Sequence, residues 1–194
     1  MKNIIFFIFL FCLTSCSYNG SFQGLYGYSE TTIKENPKTF IFKNNVCDVV
    51  NNKDEAKVYI TNGLKLKNCF KDFENSVVYF WKPKCSSKIC IPLEIIANRC
   101  KERNLKLFIV AEYYDTEMMN KKYNMDNPIY AIDTKYYNSN LTSKYLSRFQ
   151  SDLINNSSLD TNGFFLFKNG SFVNSYQSFE LLEYMFLKDK KTTY

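Results

Sequence analysis

Histidine is absent from all 194 residues. Its absence removes histidine-based catalytic triads, histidine general bases and histidine metal ligands together. Any chemistry must therefore come from thiols, carboxylates, tyrosines or lysines, and neither a cofactor nor a metal site is expected. An apolar run long enough to cross a membrane is also missing at the N-terminus. The stretch "MKNIIFFIFLFCLTSC" is unbroken only from Ile4 to Leu13. That is too short for a bilayer core of roughly 30 Å and has the length of a signal-peptide core, with Lys2 as its early cation. A third absence is a basic block interleaved with base-stacking aromatics. The net charge of +6 is spread among Asn- and Lys-rich stretches, so no nucleic-acid partner is expected. What is present suits a folded core: 45% hydrophobic and 18% aromatic residues, in a length that favours one globular domain.

Leu13-Thr14-Ser15-Cys16 resembles the bacterial lipobox, in which a small residue precedes a cysteine that is diacylglycerated and then becomes the N-terminus. The resemblance implies that residues 1–15 are a signal peptide and that Cys16 carries lipid. The mature chain would then be a membrane-anchored lipoprotein outside the cytoplasm, on the periplasmic side or the cell surface. Each buried methylene adds about 0.8 kcal/mol, so two or three acyl chains anchor far better than one. The alternative is an ordinary secretory signal in which Cys16 is incidental. Of seven cysteines, Cys12 leaves with the signal and Cys16 takes the lipid. Cys47, Cys69, Cys85, Cys90 and Cys100 remain in a compartment that permits disulfides. An odd number leaves at least one free or paired outside the chain.

Residues 16–37 form a polar, glycine-containing stretch without helical periodicity and read as a tether from the lipid. The domain is expected over 38–194, with an N-terminal β extension over 38–75. In that extension "TFIFKNNVCDVV" and "KVYITNGLKL" read as two strands separated by the polar turn "NNKDEA". "NSVVYFW" is a continuous apolar run of β-branched and aromatic residues, as expected of a central strand buried on both faces. In "IPLEIIANRCKERN" the residues Leu93, Ile96, Ala97 and Cys100 fall at i, i+3, i+4 and i+7, which predicts a helix. "LKLFIVAEYY" and "NPIYAID" are further strands, with a short helix over "DTEMMNKKYNM" between them. "TSKYLSRFQSDLI" is helical in spacing, and "GFFLFKNGSFVNSYQ" is a hairpin turning at Asn169-Gly170. "SFELLEYMFLKD" is a final helix with Ser178 as N-cap. Strands alternating with helices imply an α/β fold, a central mixed but mostly parallel sheet with helices on both faces.

Within that order of elements, the run Phe80-Trp81-Lys82-Pro83-Lys84-Cys85 is the most informative. A strand ending in Phe-Trp, three further residues, then a cysteine and a helix resembles the membrane-tethered, periplasmic thioredoxin-like thiol–disulfide oxidoreductases of bacteria. "NPIYAID" matches the family's short strand ending in aspartate, and "GFFLFKNGSFV" its final hairpin. The resemblance covers Ser76 to Leu187. It implies a thioredoxin-like core over 76–187 and a redox pair of Cys85 and Cys90, with Trp81, Lys84, Lys88 and Asn162 in support. The implied partners are protein thiols or disulfides of the envelope. The chain departs from the family at three places. The family pair is Cys-x-x-Cys, whereas four residues separate Cys85 from Cys90. Asn162 stands where the family has a cis-proline. Tyr79 stands where many thioredoxins bury an aspartate.

The spacing carries a geometric consequence. Residues five apart in one helix rise about 7.5 Å, beyond the roughly 7 Å at which Cα atoms can still be bridged. Cys85 and Cys90 can close if "SSKI" is a loop and the helix starts near Cys90, which Pro92 favours as a first-turn residue. The counter-reading keeps Cys85 at the helix start and makes Pro92 a kink. A helix N-terminus beside Cys85, with Lys82, Lys84 and Lys88, would favour its thiolate, although such lysines are also ordinary surface charge. Cys100 lies on an apolar helix face and reads as core. Cys47 and Cys69 either join as a structural disulfide or remain separate. Glu94 is either a proton shuttle or a solvent-facing carboxylate, and the tyrosines from Tyr113 to Tyr145 either line a groove or pack. Two functions follow. One is a lipid-anchored oxidoreductase in which Cys85 attacks and Cys90 resolves. The other is a non-catalytic lipoprotein in which Cys85–Cys90 is a staple and an envelope protein is the partner.

Overall fold

A computed structural model describes residues 28–85, 90–155 and 162–192. In chain order the elements are α1 (Tyr28–Glu35), β1 (Phe40–Phe42), β2 (Val58–Thr61), α2 (Gly63–Asn68), a short 3₁₀ turn (Cys69–Asp72) and β3 (Asn75–Trp81). They continue as α3 (Leu93–Glu102), β4 (Lys106–Ala111), α4 (Thr116–Met119), β5 (Ile129–Ile132), α5 (Thr142–Ile154), β6 (Phe164–Lys168), β7 (Ser171–Tyr176) and α6 (Phe179–Thr192). The strands make one seven-stranded sheet in the order β1-β2-β5-β4-β3-β6-β7. The first five of these positions are parallel to one another, and β6 runs antiparallel to both of its neighbours, β3 and β7. This is an α/β fold with a mixed, mostly parallel sheet.

The period of two along each strand divides the core. Val77 and Trp81 face one side with Leu93, Ile96, Cys100 and Phe179, so α3 and α6 cover that face. Val78 and Phe80 face the other with Leu66, Phe70, Phe149 and Leu153, so α2 and α5 cover it. A sheet packed on both faces needs strands that are apolar throughout, which is why "NSVVYFW" lacks alternation. In α3 the buried residues are Leu93, Ile96, Ala97 and Cys100, the face that the spacing requires. The crossing from β3 through α3 to β4 joins adjacent parallel strands, in register from Ser76↔Lys106 to Trp81↔Ala111. No helix among the described residues is long and apolar enough to cross a membrane.

Two expectations fail at the N-terminal side. The polar stretch read as a tether contains α1, held by side chains that sequence periodicity does not register. Ser29 Oγ lies 3.0 Å from Thr134 Oγ1, Thr32 is buried, and Ile33 packs on the core. Nor do the two strands of the extension turn back on each other. β1 and β2 pair in parallel, Phe40 opposite Val58, and β2 is buried along its length between β1 and β5. "NGLKL" leaves the sheet instead: Asn62 Oδ1 accepts the Lys65 N–H at 2.9 Å and caps α2. An Asn N-cap satisfies a donor that a helix start leaves unpaired. Leu66 is then buried while Leu64 is half exposed.

Candidate functional site

Parallel pairing brings the carboxyl ends of β2, β5, β4 and β3 to one edge of the sheet. β3 delivers Trp81 there, 6% exposed, with its ring edge-on to Tyr123 at 5.8 Å between centroids. The chain then turns, Cys85 N–H donating to Lys82 O at 3.0 Å. Cys85 is exposed and Cys90 half-buried, and the two form a disulfide with Cα atoms 6.0 Å apart. α3 starts only at Leu93, with Pro92 at its N-cap position. The helix therefore begins beyond both cysteines, as bridging demands, and residues 86–89, including Lys88, lie outside the described residues.

This geometry corrects the expected setting of Cys85. The helix N-terminus is nearer Cys90, and a helix dipole fades within its first turn. The flanking lysines are also engaged. Lys84 Nζ sits 3.1 Å from the buried Asp115 carboxylate and 3.9 Å from Glu117, and Lys82 Nζ sits 3.7 Å from Glu112. The Lys84 backbone N–H donates to the Tyr113 hydroxyl at 3.0 Å. Their charge is thus offset by carboxylates supplied from the β4–α4 connection and from α4 itself.

Two cavities flank the disulfide. The larger, about 250 Å³, is lined by Trp81, Cys85, Cys90, Glu94, Met118 and Tyr123 among others. The smaller, about 140 Å³, is lined by Tyr79, Lys82, Cys90, Glu112 and Gly163 among others. Cys90 and Tyr79 belong to both. Asn162 does not reach either: its amide donates to Ser175 Oγ on β7 at 2.8 Å. Its neighbour Gly163 takes the place beside β3, accepting the Phe80 N–H at 2.8 Å. Glu94 is half-buried in the larger cavity, and its charge adds to the burial that pushes the Tyr123 phenol up to about 12. Tyr145 packs with its hydroxyl donating to Glu112 O at 2.8 Å, so it is a structural side chain.

Glu112 is the residue that sequence reasoning missed. Its side chain is 15% exposed, and burial raises its carboxyl above the ordinary range while Lys82 opposes the rise. The Tyr79 phenol is pushed up to about 12, by burial first and then by the Glu112 charge. The only signal in the sequence was its place, a lone carboxylate directly after the buried strand "LKLFIVA". A carboxyl that burial raises, and that shares a cavity with a cysteine, can exchange a proton with it.

The remaining thiols resolve cleanly. Cys47 and Cys69 form a disulfide with Cα atoms 5.0 Å apart, and Cys100 is free, buried in the core and pushed up to about 12 by burial. Among the described residues no group of three or more Cys, Asp and Glu is placed to hold a metal ion. Cys16 lies outside the described residues. No protein-family model, curated protein or solved structure matches the chain.

Proposed function

We propose that this protein is a thiol–disulfide oxidoreductase of the bacterial envelope, with a thioredoxin-like core, anchored through lipid on Cys16 and acting on protein thiols or disulfides. One observation carries the reading: an exposed Cys85 bonded to a half-buried Cys90, at the carboxyl end of the central strand β3 and between two cavities. The sheet order and the β6–β7 hairpin beside β3 support the thioredoxin-like assignment. In the reducing direction the Cys85 thiolate attacks one sulfur of a substrate disulfide, forming a mixed disulfide and releasing one substrate thiolate. The Cys90 thiolate then attacks Cys85 sulfur and releases the second. The substrate gains two electrons, the pair loses two, and the two thiol protons end on the released sulfurs. Oxidation of a substrate dithiol is the same sequence reversed.

A staple is the second reading, favoured by the pairing of Lys82 and Lys84 with carboxylates. Trapping separates the two. In the oxidoreductase, Cys90→Ser accumulates a mixed disulfide through Cys85 and Cys85→Ser accumulates little. Equal trapping by both variants, or none, leaves the staple. For the anchor, cells fed a radiolabelled fatty acid label the wild-type chain but not Cys16→Ala, and a mature wild-type protein without label ends the lipoprotein reading.

A further inference from the structure

A third cavity opens on the same sheet edge, over β2 and β5 rather than β3. It encloses about 310 Å³, lined by Glu30, Ile33 and Lys34 of α1, by Phe42 and Ile60, and by Tyr114, Asp133, Thr134 and Lys135. Ile60, Tyr114 and Thr134 are buried and form its interior wall, while Glu30, Lys34, Phe42 and Lys135 are exposed at its rim. The wall is built firmly. Tyr114 donates its hydroxyl to Ile132 O at 2.8 Å and packs its ring on Phe40 at 5.5 Å. Ser29 fixes α1 to Thr134 at 3.0 Å. Asp133 Oδ1 accepts the N–H groups of Lys135 and Tyr136, each at 3.1 Å, which holds the connection after β5 in place.

From this arrangement we infer a binding site for a free apolar α-amino acid. Three features lead there. The volume sits at the low end of small-molecule sites, so the occupant is a small molecule and not a folded segment. The interior is apolar and aromatic, apart from Thr134, and takes a branched or aromatic side chain. The lining carries two ammonium groups, Lys34 and Lys135, and two carboxylates, exposed Glu30 and half-buried Asp133, and Glu30, Lys34 and Lys135 make no ion pair among the described residues. Lys34 and Lys135 are the groups that would take a ligand carboxylate, and Glu30 and Asp133, the latter through the oxygen not held by the Lys135 and Tyr136 N–H groups, its ammonium. A zwitterion meets both signs at once, whereas a single-charge ligand leaves one sign unmatched. The place is also the one that open parallel sheets offer to ligands, outside the carboxyl ends of the strands. Nothing in the site depends on the disulfide, so the two proposals stand or fall separately.

Calorimetric titration of the full chain with L-leucine and L-phenylalanine tests the inference, with amide-resonance shifts locating the site. Saturable binding is expected, with shifts centred on Ile60, Tyr114 and Thr134. Leucinamide and N-acetylleucine each lose one charge and bind at least about threefold more weakly, the scale of a partly exposed ion pair, and glycine, which loses the apolar side chain, binds at least about tenfold more weakly. Lys34→Gln lies at an exposed position and keeps the fold. It weakens leucine and N-acetylleucine while leaving leucinamide unchanged. Ile33→Trp fills the cavity and abolishes binding. The proposal is overturned by any of three results: no saturable binding of leucine or phenylalanine, single-charge analogues that bind as well as leucine, or shifts that map elsewhere. The same titration with Cys85→Ser/Cys90→Ser gives unchanged affinity, and a loss there overturns the separation of the two sites.

Discussion

Access separates Cys85, Cys90 and Cys100 before any chemistry begins. Cys85 is exposed, Cys90 half-buried and Cys100 only 1% exposed. Reactivity follows thiolate fraction and access, so after reduction Cys85 is expected to take iodoacetamide first and Cys90 more slowly. Cys100, its thiol pushed up to about 12 by burial, should label only when the chain unfolds, since about one part in ten thousand is thiolate at pH 8. Mass mapping of a labelling time course reads all three, and early labelling of Cys100 would contradict its place in the core. Glu112 gives a second residue-scale test, with a sign that burial dictates. Its folded carboxyl titrates above the ordinary 4.5, so the folded state holds the proton more tightly than the unfolded chain. Stability is then lost as pH rises from about 4.5 through the raised value. Glu112→Gln is free of that loss and should gain on the parent at pH 7.5, the gap narrowing as pH falls. Urea melts at both ends of the window measure it, and a gap that widens on acidification would mean the carboxylate is the favoured form. The sequence could point to Cys85 because its approach, "FWKPKC", is local. It could not show that Lys82 and Lys84 are neutralised, because Glu112 and Asp115 reach them across the sheet edge from the end of β4.

Elements were legible where one face or one turn specifies them. α5 occupies the span its periodicity demands, and the Asn169-Gly170 hairpin has both turn residues at positive φ, 49° and 77°. An isolated polar segment, by contrast, looks the same whether it turns a strand back or carries it to a parallel neighbour. That ambiguity hid the β1–β2 pairing. α2 was hidden by two leucines spaced as in a strand, yet its close packing on α5 depends on one residue. A Cβ at Gly63 would lie 2.5 Å from Phe149 O and 2.6 Å from Asp152 Cβ. The Gly63 N–H donates to Tyr137 Oη at 2.7 Å, and that hydroxyl donates to Asp152 Oδ2 at 2.6 Å. Gly63→Ala therefore has to push α2 off α5 and should cost about 1–3 kcal/mol. Tyr137→Phe leaves the buried Gly63 N–H without its acceptor at a cost of about 1–3 kcal/mol. The two share one contact, so the double variant should cost less than the sum. Urea denaturation of the four proteins checks this, and full additivity would show the contact to be unimportant.

At the scale of the whole molecule, alternation of strand and helix was enough to infer a mostly parallel sheet with helices on both faces. The sheet order was not, since β5 inserts between β4 and β2 through contacts that no local pattern encodes. Two disulfides overlay this fold in unlike places, and they should open in sequence. Cys47–Cys69 closes 22 residues, and Cys69 is completely buried against the α2–α5 face, with Cys47 packed partly on it. Cys85–Cys90 closes 5 residues and presents Cys85 to solvent. A reductant must reach a sulfur to exchange with it, so rising dithiothreitol should open Cys85–Cys90 while Cys47–Cys69 persists. The first opening leaves the core intact and removes a short constraint, worth about 2 kcal/mol in the chain-entropy account. Loss of the longer loop costs about 3 kcal/mol, which for a domain of this size lowers the melting temperature by roughly 6–12 °C. Thiol counting by mass against reductant concentration, beside melts at each step, follows both events. A Cys47–Cys69 bond that opens first, or with Cys85–Cys90, would mean that the α2–α5 face breathes far more than its burial implies, and the proposal that Cys85–Cys90 is a redox pair would lose its support from access.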